Sequence, residues 1–158
     1  MTKKIAASII ILLLLTAGCP MSRDPIINSW KLWKFESSFV SLFHPKGTSR
    51  LALKSKVGLL SGNGNHCDFF VGELRTYSSE KEKIKNDYAG TLILNPISGR
   101  RQNIDILFID DGIIPETRLP YDFDNLAGWN LPSDEKLKPM YLLYVFNSYE
   151  ANADVRCH

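Results

Sequence analysis

The chain is short of most of what announces a chemistry. It has three histidines and three cysteines in 158 residues. His44, His66 and His158 are scattered, two in turn-like segments and one the last residue, so they do not compose a zinc site and no metal is expected. Charge of one sign is also lacking: 19 Lys and Arg face 17 Asp and Glu, and setting aside Lys3 and Lys4 leaves a neutral remainder. Bulk charge therefore excludes nucleic acid as the expected partner. No apolar run reaches the roughly 20 residues a spanning helix needs. With 10 Gly, 8 Pro and no internal repeat, the composition also excludes collagen, coiled coil and a disordered chain.

Catalytic and cofactor signatures are equally thin. Gly62-Asn63-Gly64-Asn65-His66-Cys67 supplies two glycines of a dinucleotide fingerprint, but Cys67 occupies the third position and strand-like sequence follows. Ser78 to Lys81 and Ser133 to Lys136 match Ser-x-x-Lys, a short pattern that arises by chance in polar segments. Asp122-Phe123-Asp124-Asn125 begins like a calcium loop and then lacks the glycine and distal glutamate. His66 adjoins Cys67, but strand neighbours point to opposite faces and make no dyad. The expectation is a protein that is not an enzyme and carries no cofactor.

What is present begins at the amino terminus. Lys3 and Lys4 are followed by an apolar stretch from Ile5 to Leu15, too short to span a membrane and built like a secretory signal. Leu15-Thr16-Ala17-Gly18-Cys19 resembles the lipobox of bacterial lipoproteins, in which small residues precede a cysteine that is acylated. The resemblance implies a signal peptide over 1–18, an acylated Cys19, and a tether over 19–28 leading to a domain over 29–158. Several acyl chains would hold the protein stably at a bilayer, where one alone would be marginal. Pro20 is not the aspartate associated with inner-membrane retention, so the resemblance points to the outer membrane, facing the periplasm.

With Cys19 set aside, Cys67 and Cys157 form an even pair, which in a secreted domain predicts a disulfide. The body reads as strands. From Arg50 to Leu60, Leu51, Leu53, Val57 and Leu59 share one parity, while Arg50, Lys54 and Lys56 share the other. Further strands are expected over Cys67 to Tyr77, Tyr88 to Asn95, Asn103 to Ile109 and Pro139 to Tyr149, the last apolar on both parities. Aromatic-rich Trp30 to Phe43 suggests one or two more. Ser79 and Glu82 fit a capping box for a helix from Glu80 to about Asn86, and a single turn is expected at Ser133. Six or seven strands and one or two short helices predict a mainly β fold, a single antiparallel sandwich or partly open barrel.

Charge is unevenly distributed along the chain. Ser29 to Gln102 holds twelve basic and six acidic residues, whereas Asn103 to Glu135 holds one basic and eight acidic. The second stretch contains a connection from Asp110 to Glu135, long enough to suggest a functional loop. Its carboxylates Asp110, Asp111, Glu116, Asp122 and Asp124, with aromatics Tyr121, Phe123 and Trp129, are the expected partner-binding residues, because aromatics supply contact energy and charge steers encounter. A small, disulfide-closed β domain on a lipid anchor resembles immunity proteins that protect a bacterium from an envelope-targeted toxin. The expected partner is such a toxin. The alternative is a structural or assembly accessory whose partner is a subunit of a secretion system or pilus.

Overall fold

The computed structural model describes residues 20–62, 64–109, 114, 119–120, 123, 126–131, 138–150 and 154–158. The signal-like segment, Cys19 and the turn expected at Ser133 lie outside them. Helix α1 (Pro20–Val40) is followed by strands β1 (Thr48–Gly58) and β2 (His66–Tyr77), helix α2 (Lys81–Tyr88) and strands β3 (Leu92–Leu94), β4 (Arg101–Asn103), β5 (Asp105–Ile109) and β6 (Met140–Glu150). Four strands form one antiparallel sheet in the order β1-β2-β6-β5, and β3 and β4 form a separate two-stranded ladder. The fold is mainly β, as expected, but the described strands make neither a closed barrel nor two comparable packed sheets. Both faces of the four-stranded sheet are covered by other means.

The first face packs against helices. Phe69, Val71, Tyr141, Leu143 and Val145 meet Phe35 and Phe39 of α1, Ile84 and Tyr88 of α2, and Ile93 of β3. The second face carries Phe70, Leu74, Met140 and Leu142, covered by Ile114, Leu119, Phe123, Leu126 and Trp129 from the connection between β5 and β6. Strand β6 is therefore central and buried on both sides.

Three expectations need correction. Trp30 to Phe43 is not strand but the second half of α1 and the turn after it. Leu32, Phe35 and Phe39 recur at helical spacing onto the sheet, and their packing overrides the β preference of an aromatic-rich segment. Residues 20–28 are not a free tether either, because α1 starts at Pro20 and Asn28 is buried. Nor does the capping box form. Glu80 is the N-cap of α2 without a side-chain cap bond, and the Ser79 hydroxyl instead donates to the Lys46 carbonyl at 3.3 Å.

Strand β1 contains a bulge that its alternation does not reveal. Arg50 pairs with Arg75 and Ala52 with Leu74, which leaves Leu51 as the extra residue. As a result Leu51 and Ala52 pack on the second face, whereas Leu53 and Val57 pack on the first. Gly72 on β2 matters for a different reason. A Cβ there would lie 2.7 Å from the Phe70 ring, so only glycine lets that ring lie over the strand and stack on Phe123 at 4.0 Å.

Candidate functional site

Strand β1 is an edge of the sheet, and the bulge at Leu51 sets the facing of everything after it. Beyond it, Lys54 and Lys56 sit opposite Gly72 and Phe70 on the second face. The Lys54 ammonium donates to the Gly128 carbonyl and lies 6.0 Å from the centre of the Trp129 ring. Ser55, on the first face, donates to Glu36 of α1. Between the strand edge and the connection opens a cleft of about 520 Å³, lined by Leu53, Lys54, Ser55, Lys56, Phe123 and Gly128. One wall is thus a strand edge with two ammonium groups, and the other is apolar ring and main chain. Such a surface suits an extended protein segment, which an edge strand can take up through its main chain.

Of the residues expected to bind a partner, Phe123 and Trp129 are described, and both are buried. The Trp129 indole N–H donates to the Phe123 carbonyl at 3.5 Å, and the two rings pack on Phe70. They pin the connection to the sheet instead of standing exposed as contact residues, because burying two aromatics is worth more than presenting them to water. Phe123 nevertheless forms part of the cleft wall. Asp110, Asp111, Glu116, Tyr121, Asp122 and Asp124 lie outside the described residues.

Cys67 and Cys157 form a disulfide, as expected. Around it lies a polar latch that sequence reading does not find. Asn28 of α1 donates to Asp154 at 2.9 Å, and Arg156 donates to both Asp154 oxygens, to the Pro25 carbonyl and to the Ser29 hydroxyl. Hydrogen bonds from Arg156 outweigh the burial that opposes them and, helped by Asn28, bring the Asp154 carboxyl down to about 2. Cys67, Cys157 and Asp154 also place sulfur and oxygen atoms within 4.8 Å of one another. Two sulfurs bonded to each other supply no thiolate for a metal.

A second cluster is centred on a buried carboxylate and reaches the surface at Arg50. Glu73 of β2 is completely buried and pairs with Arg75 at 2.5 Å and Arg50 at 3.1 Å. His44 stands 3.5 Å from the same carboxylate, and its other ring nitrogen is 2.9 Å from the Tyr88 hydroxyl, which meets Tyr141 at 3.1 Å. Burial and the positive charge of Arg75 and Arg50 lower the His44 pKa despite Glu73, so the ring is neutral at pH 7. Burial and the Tyr141 hydrogen bond raise the Tyr88 phenol. The Glu73 carboxylate is thus held by two guanidiniums, and a neutral imidazole bridges it to the Tyr88–Tyr141 phenol pair, which ties β2 to β1, α2 and β6. Its sequence signal is legible afterwards. Glu73 and Arg75 share the parity of Cys67, Phe69 and Val71, so two charges stand on a core-facing side.

Ser61, His66 and Asp68 also come together, at the β1–β2 turn. Their order is wrong for nucleophilic catalysis. The Ser61 hydroxyl donates to Asp68 at 3.0 Å, while the His66 Nε2 faces the Ser61 main-chain carbonyl at 2.7 Å and Asp68 at 3.2 Å. The imidazole does not address the hydroxyl, and Asp68 also fastens the turn through the Leu60 and Ser61 amides. Compared with protein-family models, curated proteins and solved structures, the chain matches none.

Proposed function

We propose that this protein is a lipid-anchored envelope protein, held at Cys19, that acts as a non-enzymatic protein-binding module in the manner of an immunity or inhibitor protein against an envelope-targeted toxin. The observation that carries the binding role is the cleft between the edge of β1 and the long connection. Lys54 and Lys56 belong to the basic half of the chain, and the connection carries the acidic half. A partner that complements both is selected by charge and seated by the apolar wall. The disulfide and the lipobox-like motif agree with an oxidising envelope compartment.

The test is capture of partners by the intact protein from non-reduced envelope and culture-fluid extracts, followed by binding kinetics. A secreted hydrolase or pore-former at one-to-one ratio, bound with a nanomolar constant, is the expected result. Lys56→Glu should weaken that complex at least tenfold, and reversal of Asp122 and Asp124 should chiefly slow association. Recovery of a large membrane subunit would replace this reading with that of an assembly accessory. Recovery of nothing, or a complex indifferent to these substitutions, would remove the cleft from the function.

A further inference from the structure

Helix α1 is apolar on two opposite sides, and among the described residues only one of them packs against the rest of the fold. Leu32, Phe35 and Phe39 face the sheet, with Asn28 in the C-terminal latch. At 3.6 residues per turn, Ile26, Trp30, Trp33 and Val40 fall within about 80° of arc on the other side. All four are exposed, Ile26 at 66%, Trp30 at 51%, Trp33 at 62% and Val40 at 40%. A helix on a globular protein carries one apolar stripe, against its core. A second, bearing two tryptophans, is covered by nothing among the described residues.

Charge beside the stripe indicates what covers it. Arg23, Lys34 and Lys31 follow one another along one flank, and the Lys34 ammonium sits 4.0 Å above the Trp30 ring. An apolar stripe with tryptophan and a basic border is the chemistry of a helix lying in the interface of an anionic bilayer, where indoles bury their rings and leave the N–H at headgroup level. The chain N-terminal to the helix adds position. Cys19 directly precedes Pro20, the first residue of α1. An acylated Cys19 would put the start of α1 at the headgroups, leaving no spacer to lift it clear.

We propose that the outward face of α1 is a membrane-seating surface. The helix lies along the bilayer that holds the anchor, with Ile26, Trp30, Trp33 and Val40 at the acyl boundary and the basic flank against anionic headgroups. This rests on the anchored reading above for the location of the membrane. Its consequence is a fixed orientation, because α1 is bound rigidly to the sheet by its inner face and by the Arg156 latch. The helix face holds the domain down, and the cleft is carried at a set height and angle.

The chain has three tryptophans, and the third, Trp129, is buried, so it serves as an internal reference. The full protein is purified and reconstituted in phosphatidylethanolamine and phosphatidylglycerol vesicles containing brominated phospholipid, and residues 20–158, which contain every described element, are mixed with the same vesicles. The bromolipid should quench most emission that Trp30→Ser/Trp33→Ser removes, and leave the Trp129 emission. Residues 20–158 should co-float with these vesicles at least tenfold better than the double variant, and less well with phosphatidylcholine alone. Quenching of Trp30 and Trp33 by aqueous iodide to the same extent with and without vesicles would overturn the proposal. So would a dimer of residues 20–158 that Trp33→Ser dissociates, since the face would then belong to a second copy. The mass of the Cys19 peptide reports acylation separately. Acylation without bromolipid quenching defeats this inference alone, and quenching without acylation defeats the anchor alone.

Discussion

Asp154 is buried, yet more acidic than an ordinary aspartate, about 2 against 3.8, because the Arg156 hydrogen bonds outweigh burial. A carboxyl that is more acidic folded than unfolded stabilises the fold fully above about pH 4, and this contribution is lost as pH falls from there through about 2. Asp154→Asn should therefore destabilise the protein by about 2 kcal/mol at pH 7, and the gap to the parent should close toward pH 2. Denaturant midpoints at pH 7, 4 and 2.5 check this, and a gap that does not change with pH would assign the loss to shape. His44 acts in a separate window. Its lowered pKa favours the neutral ring in the fold, so stability from this group declines as pH drops below about 6.5. Neither residue advertises itself in the sequence. The partners of Asp154 are Arg156, two positions away, and Asn28, on the far side of the chain.

At the scale of elements, α1 separates what periodicity shows from what composition suggests. Phe39 and Trp33 are both aromatic residues of one helix, but Phe39 is buried in the core and Trp33 is exposed. Phe39→Ala should destabilise by about 3 to 5 kcal/mol, whereas Trp33→Ala should leave the unfolding free energy in aqueous buffer within about 0.5 kcal/mol. Chemical denaturation of the two variants side by side is the measurement. Strands β1, β2 and β6 were legible because alternation or a double apolar parity survives without tertiary help. Helix α1 was not, since apolar residues on two opposite sides blur the single stripe by which a helix is recognised. The bulge at Leu51 was invisible for a related reason. Register belongs to a pair of strands, and only Leu74 and Arg75 opposite reveal the additional residue.

For the whole molecule, the disulfide ties the C-terminal segment to β2 across 90 residues, beside the latch that holds α1. Closing a loop of that length stabilises by about 4 to 5 kcal/mol through the unfolded chain. Reduction, or Cys67→Ser with Cys157→Ser, should lower the unfolding free energy by about that amount and make the first turns of α1 the earliest site of proteolysis. Denaturation with and without reductant, followed by mapping of the first cleavage, checks both. The sequence by itself determined the cysteine pair, the mainly β character, the long strands and the split between a basic and an acidic half, because composition and short-range periodicity carry each of them. Only the tertiary structure decided that Phe123 and Trp129 are buried, that Glu73 and Arg75 are a paired internal charge, and that α1 is a helix with one face in the core and one exposed. Those outcomes depend on which surfaces meet, and a surface acquires its partner only when the chain has folded.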